Sequence, residues 1–342
     1  MEISGNFILS ESDKRVLGKL KDFIPDKIFD FHAHLYHTAY LPDIAGQDSI
    51  FAERGDLADR AFYERYQCQL HPGIKKLRLN LVSMPDSSMN ERPNGNRARC
   101  NDFLIEHLEQ YPQDIGEAFV LPDDTGDEIK GLLNHPNIRG FKCYHVCAAK
   151  KPTWQAEIDE YLPESAWRVA EDRGLCITLH MVKDAALADP GNYTIISEKA
   201  RKYPNVKLIL AHAARGFAPW TVIEGVKGLS EIPNIYFDVS AVCEPTAIFT
   251  VVKAAGHERV LWGSDFPVSM LRGKCVSLAD TFLWLYWQDL EKLDMPAAAD
   301  ANLVGVENLN ALAQACGMLD LNHSETEDIF YNNAERLFGS YG

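Results

Sequence analysis

KIFDFHAHLYH, residues 27–37, places three histidines and an aspartate directly behind an apolar start. In an extended strand alternate side chains share a face. That puts Asp30, His32 and His34 on one side and Phe29, Phe31 and Ala33 on the other. Imidazoles two residues apart on one face can converge on a single cation, and histidine is the commonest metal ligand at neutral pH. A lone His-x-His is equally the mark of a surface pair or of two hydrogen-bonded strand-end residues. The reading therefore depends on what the rest of the chain supplies.

Short apolar runs recur along the 342 residues, each followed by a stretch with helical spacing. They are KIFDFHAH, KKLRLNLVSM, GEAFVLP, IRGFKCYHV, GLCITLHMV, VKLILAHAA, NIYFDVSAV and RVLWGSDFP. Between them RCNDFLIEHLEQYP, AWRVAEDRG, YTIISEKARKYP and PTAIFTVVKAAGHER read as amphipathic helices with glycine or proline at most ends. Near-continuous apolar strands alternating with helices indicate a parallel sheet covered on both faces. Eight such units predict a single α/β domain, a (β/α)8 TIM barrel with its core over residues 27–272. An N-terminal extension precedes Lys27, a long insertion runs from Leu35 to Gly73 after the first strand, and a C-terminal helical region is expected over 273–342. A doubly wound sheet is the alternative, but no Gly-x-Gly-x-x-Gly follows the first strand.

Asp+Glu 49 against Lys+Arg 34 gives a net charge of -15, which argues against nucleic-acid binding. The stretch MEISGNFILSESDKRVLGKLKDF lacks a basic region followed by an apolar one, so no signal peptide is expected. No uncharged run approaches the roughly 18 residues that span a bilayer. The eight cysteines include no Cys-x-x-Cys pair and read as reduced residues of a cytoplasmic protein, with Cys143 and Cys147 a weak zinc candidate. The expected partner is a small-molecule substrate, with homo-oligomerisation left open.

In a TIM barrel the active site lies at the C-terminal ends of the strands. Unusual polar residues fall there: His32 and His34 end strand 1, Lys142 strand 4, His180 strand 5, His212 strand 6 and Asp265 strand 8. A single buried histidine is commonly a satisfied core residue. Such residues at the same end of five strands point to a metal centre.

The motifs DFHAH, ITLH, LAHAAR and GSDFP, with the closing NNAERLFG, resemble the amidohydrolase superfamily of metal-dependent (β/α)8 enzymes. Within it the chain looks most like the amidohydrolase-related branch. That branch holds aminocarboxymuconate-semialdehyde decarboxylase, resorcylate decarboxylases and oxalomesaconate hydratase beside true hydrolases. The resemblance implies His32, His34, His180 and Asp265 as ligands of one divalent ion. Three imidazoles and a carboxylate suit zinc, with manganese, iron and cobalt as alternatives. Such an ion lowers the pKa of its water toward about 7. By the same resemblance Asp265 takes that water's proton and later delivers it to the leaving group, while His212 polarises the substrate oxygen or carries a second proton. Lys142 stands where two-metal members bear a carboxylated lysine bridging both ions, and GFKCYH is similar to that strand in dihydropyrimidinase-like enzymes. His180 and His212 would then bind the second ion. The nearer resemblance is to the one-metal branch, so one ion is favoured, with Lys142 orienting substrate.

Around these ligands Asp30 reads as a hydrogen-bonded carboxylate one layer deeper, and His37 as part of the strand-1 loop. Arg215 offers a fork for a substrate carboxylate, or else a loop salt bridge. His145 contacts substrate only if its strand ends before it. Cys243 and Glu244 follow strand 7 near the pocket. The expected function is metal-dependent hydrolysis of an amide, ester or lactone. The alternative is decarboxylation or hydration of a small carboxylic acid, and a non-catalytic barrel is disfavoured by the intact ligand set. HTAYLPDIAGQDSIFAERGDLADRAFYERYQ matches no motif, and the insertion that contains it is expected to cover the barrel mouth and help select substrate.

Overall fold

The computed structural model of the chain describes residues 8–45, 56–90, 95–290, 292 and 301–339. Residues 46–55 of the predicted insertion and 91–94 of the polar loop MPDSSMNERPNGN lie outside them.

Every apolar run named above forms a strand: β1 (Lys27–His37), β2 (Lys76–Ser83), β3 (Ile115–Phe119), β4 (Ile138–Cys143), β5 (Cys176–Leu179), β6 (Lys207–Leu210), β7 (Ile235–Asp238) and β8 (Val260–Leu261). They pair in parallel and in chain order within a nine-stranded sheet. The ninth member is the two-residue strand Leu57–Ala58, antiparallel to the end of β1. Parallel neighbours need a long return connection, and helices supply it, among them Arg97–Gln110, Glu164–Arg173, Pro190–Lys202 and Pro245–Ala255. Gly174 ends the second of these at φ 61, a left-handed stop that glycine adopts without strain.

The two ends of the sheet meet. Phe31 N donates to Trp262 O at 3.0 Å, Asp265 N to His32 O at 2.8 Å and His34 N to Phe266 O at 2.7 Å. A small apolar cluster collects Phe29 and Phe31 of β1, Ile115, Cys176, Ile209 and Leu261. Residues of non-neighbouring strands touch in this way only on the concave side of a curled sheet. Tyr331, Ala334 and Phe338 complete that cluster, and Phe31 stacks on Phe338 at 5.2 Å.

Two expectations are corrected here. The pairing of β1 with β2 shifts register between Asp30 and Ala33. The extra residue breaks the alternation, so Asp30 does not share the face of His32 and His34. Its carboxylate accepts from Tyr63 Oη at 2.7 Å, from Ser264 N at 2.8 Å and from His32 N at 3.1 Å. Burial pushes its pKa up to about 6, against these hydrogen bonds. The expected C-terminal helical region, in turn, begins as a hairpin of β9 (Gly273–Leu278) and β10 (Thr281–Tyr286). Aromatic residues at alternate positions, Phe282, Trp284 and Tyr286, favour a strand over a helix, and Trp284 stacks on Tyr286 at 6.0 Å. Helices Val304–Met318, His323–Glu327 and Asn333–Phe338 follow, as expected.

The predicted insertion is also shorter at its start, since Leu35 to His37 continue β1. After it, Asp43 and Asp86 tie residues 43–45 to the loop beyond β2, through Asp43 N to Asp86 Oδ2 at 2.7 Å. Helix Arg60–Tyr66 packs Phe62 and Tyr63 on Phe266. All eight cysteines are free, and no helix among the described residues is long and apolar enough to cross a membrane.

Candidate metal centre

Beyond the bulge β1 alternates regularly, and both His32 and His34 are buried with ring centroids 4.9 Å apart. His32 Nδ1 lies 3.1 Å from Asp238 Oδ2 at the end of β7. A carboxylate only accepts, so Nδ1 carries the proton and Nε2 keeps its lone pair. His34 Nδ1 lies 3.2 Å from the carbonyl of Ser83, which assigns its proton the same way. The free Nε2 of His34 then faces Asp265 Oδ1 at 3.2 Å, and that of His32 faces it at 3.8 Å. Asp265 follows β8 with φ 55. Three acceptor atoms thus converge, all within 4.8 Å of one another. Acceptors do not attract acceptors, so this triplet fits a divalent cation.

The electrostatics agree. Burial pushes the Asp265 carboxyl up, but the His212 ring, with His34 and His32, outweighs it and holds the group below the usual carboxylate range. Burial and the ammonium of Lys142 push His32 down to about 3, leaving the ring neutral as a ligand must be. Asp238 is held well below its ordinary value although burial opposes this, because His32, His212 and Ser240 favour its charge.

Asp238 and Ser240 were not singled out in the sequence. Ser240 Oγ donates to Asp238 Oδ1 and lies 3.1 Å from His32 Nδ1 and 3.0 Å from His212 Nδ1. His212 Nδ1 is also 3.0 Å from Ser240 O, and the His32 and His212 rings stack at 5.1 Å. His32, His212 and Asp238 converge as a second set, but their facing atoms are already matched as donor and acceptor. Strand-end position in NIYFDVSAV is the signal that would have marked Asp238.

His180 stands outside the triplet. Its ring stacks on Tyr144 at 4.3 Å and meets His212 edge-on at 5.0 Å. Its buried Nδ1 has no hydrogen-bond partner among the described residues. Burial, then His212 and Arg215, hold this ring well below its usual pKa. Lys142 is fully buried, with Nζ 3.2 Å from His32 Nε2. Burial lowers its pKa, against the opposing charge of Glu117, a carboxylate absent from the sequence reading. Glu117 Oε1 accepts from Asn80 Nδ2 at 2.6 Å and Thr178 Oγ1 at 2.7 Å.

β4 ends at Cys143, and His145 opens the turn beyond it, its ring 6.0 Å from His180 and Nδ1 3.0 Å from Thr153 Oγ1. Burial and the charge of Arg215 push His145 down to about 4. Arg215 closes a left-handed turn in which His212, Ala213, Ala214 and Arg215 have φ 56, 50, 58 and 58. Gly216 N donates to His212 O at 2.7 Å across it. The guanidinium lies 5.2 Å over Phe282 of the hairpin and makes no ion pair among the described residues. Phe217 packs on His212, Phe282 and Trp284, so the hairpin stands beside the centre. Glu244 Oε1 anchors the hairpin by accepting from Ser277 N at 2.9 Å. Cys243 is buried. His37 Nδ1 accepts from Ala39 N where β1 gives way to its loop.

A curled parallel sheet with imidazoles and carboxylates gathered at its C-terminal strand ends is the layout of a metal-centred α/β enzyme. The chain belongs to the amidohydrolase family, whose model matches residues 29–340, and its motifs had implied the same family. L-fucono-1,5-lactonase of Burkholderia ambifaria is 24% identical over 190 residues, spanning 51% of this chain and 60% of the lactonase. Among solved structures, 5-carboxyvanillate decarboxylase of Sphingomonas paucimobilis superposes with TM-score 0.55 at 12% identity, over 92% of this chain and 99% of its own. A zinc-bound amidohydrolase of Burkholderia multivorans gives TM-score 0.56 at 15% identity, over 91% and 99%. A manganese-bound dihydroxybenzoic acid decarboxylase of Polaromonas sp. JS666 gives 0.56 at 18%, over 91% and 96%. These structures share the fold.

Proposed function

We propose that this chain is a metal-dependent hydrolase of small-molecule lactones or related esters and amides, built on a closed (β/α)8 barrel. The approach of His32, His34 and Asp265 to one another, acceptor against acceptor, carries the reading. The lactonase relative supports hydrolysis. One divalent ion, zinc by first choice, is held by these three residues with His180 as the further ligand. When bound, such an ion polarises a carbonyl and brings the pKa of water to about 7.

The chain's own residues do the rest. Asp238 and Ser240 fix the tautomers of His32 and His212. Asp265, kept ionised, takes a proton as water adds to the substrate carbonyl. It returns that proton to the alkoxide released when the ring C–O bond breaks. His212, stacked on His32, stands beside the same carbonyl oxygen. Lys142, balanced by Glu117, orients the substrate.

Decarboxylation is the second reading, favoured by a half-buried arginine, Arg215, with no ion pair among the described residues and a buried Nε left without a hydrogen-bond partner there, and by decarboxylases of the same fold. Metal analysis of purified protein, followed by a screen of lactones, N-acyl compounds and aromatic carboxylates, decides between them. Acid released from a lactone supports hydrolysis. Carbon dioxide from an aromatic acid moves the assignment to a lyase, and metal-free protein inert on every class overturns both.

A further inference from the structure

The hydrogen bonds that bring the two ends of the sheet together run beside the ligand triplet, and one side chain of the insertion reaches into them. Ser264 N and His32 N both donate to Asp30 Oδ1, at 2.8 and 3.1 Å, while Asp265 N donates to His32 O at 2.8 Å. A single carboxylate oxygen thus sets the spacing of the two backbone segments that carry His32 and Asp265. Little slack is left there. A Cβ on Gly263 would stand 2.7 Å from His32 Cβ, and Asp265 is kept at φ 55 between Phe266 N on Ser264 Oγ at 2.9 Å and Val268 N on Asp265 O at 2.7 Å. The other oxygen of Asp30, Oδ2, accepts from Tyr63 Oη at 2.7 Å. Tyr63 belongs to helix Arg60–Tyr66, is buried, and meets Phe266 edge-on at 5.2 Å. The same helix is fixed a second time where Arg60 Nε stands 2.8 Å from Asp114 Oδ2. A phenyl ring at position 63 would fill the space against Phe266 equally well. The hydroxyl does what packing cannot: it fixes the rotation of the Asp30 carboxylate, and with it the direction of Oδ1.

We infer that Tyr63 is a positioning residue for the metal centre. Its hydroxyl, acting through Asp30, holds the backbones of His32 and Asp265 in the spacing the ligand triplet needs, so that docking of helix Arg60–Tyr66 and filling of the centre support one another. The inference rests on the reading of His32, His34 and Asp265 as ligands, and not on which bond the enzyme breaks. The support is mutual by necessity: whatever factor the docked helix adds to ion binding, a bound ion adds to docking of the helix.

Two measurements on the full chain test this, both with cobalt(II), whose visible absorption reports ligand geometry. The first is chelator competition. Tyr63→Phe removes one oxygen and is expected to fold with native far-ultraviolet dichroism, to bind cobalt about tenfold more weakly, and to shift the visible band. Leu17→Ala, a core truncation in helix Glu11–Leu20, is expected to lower the urea midpoint at least as far while keeping wild-type affinity and spectrum. The second is amide hydrogen exchange, which in wild type needs no variant. Cobalt is expected to slow exchange of residues 60–66 about tenfold, and in Tyr63→Phe that slowing is expected to shrink. Wild-type affinity and spectrum in Tyr63→Phe, equal weakening in Leu17→Ala, or exchange of residues 60–66 that ignores cobalt in wild type would each overturn the inference and leave the centre standing. A wild type that takes up no cobalt overturns the centre and the inference with it.

Discussion

His32 is held at Nδ1 by Asp238 and Ser240, which aims its Nε2 toward Asp265 and Lys142. Removing the ring, or the carboxylate it shares with His34, takes away ligand atoms but little packing. His32→Ala and Asp265→Ala are therefore expected to fold, with native far-ultraviolet dichroism, and to lose bound metal by elemental analysis. Asp238→Asn keeps the shape but weakens the orientation of His32, and metal affinity in chelator competition is expected to fall roughly 10–100-fold. Wild-type metal content in either alanine variant would refute the ligand assignment. The converging residues His32, His34 and Asp265 were legible because each sits in a short motif, whereas Asp238 carries no motif and only its strand-end place betrays it. His71 gives a test remote from the centre. Both its ring nitrogens are buried without a hydrogen-bond partner among the described residues, its ring meets Trp262 edge-on at 4.9 Å, and burial pushes its pKa down to about 3. An unfolded histidine titrates near 6.5, so the folded state binds fewer protons. Stability linked to His71 is complete above pH about 6.5 and drains as the pH falls toward 3. Between pH 7 and pH 5 wild type is expected to lose on the order of 2 kcal/mol more than His71→Leu in urea unfolding. Parallel losses in the two proteins would rule this out.

The element that departs furthest from expectation is the turn after β6. VKLILAHAA reads as one apolar strand run, yet the four residues from His212 to Arg215 leave the strand and wind left-handed. Glycine or asparagine usually announces such a conformation, and here a histidine, two alanines and an arginine occupy it, so composition gives no warning. Each non-glycine residue there is strained by roughly 1–2 kcal/mol. Ala214→Gly relieves one such position at some expense in unfolded-chain entropy, and a gain of about 0.5–1 kcal/mol is expected from denaturant unfolding. A loss would mean that the alanine methyl is packed to greater effect than the strain. The hairpin was hidden for a different reason: TFLWLYW is apolar at every position but one, and an unbroken apolar run has no period to read. The bulge in β1 was hidden as well, since one extra residue leaves the neighbouring hydrophobic pattern intact while reversing which side faces inward.

Across the whole molecule the parallel order of the sheet was readable, because eight apolar runs alternate with helical stretches that mostly end in glycine or proline. A barrel was expected from the count of eight such units alone, whereas the particular bonds between β1 and residues 262–266 that bring the two ends of the sheet together have no local signal. The centre joins strands from both halves of the chain, so a bound ion ties them together. Metal removal is expected to lower the melting temperature, and re-addition of zinc to raise it with concentration as binding to the folded state alone requires. A melting temperature indifferent to chelator and to zinc would exclude a resident ion at this site. The stacking of Phe31 on Phe338 sets a timetable as well as a contact. At 5–20 residues per second, a ribosome needs roughly 15–60 s to reach the second ring after making the first. Through that interval the inward cluster on the first strand gains Ile115, Cys176, Ile209 and Leu261 one by one but stays open at the place Phe338 fills, and native pairings of such long range are slow to form in any case. The newborn chain must wait for its own far end, and the surplus of acidic side chains that keeps unfinished copies apart is an asset during the wait.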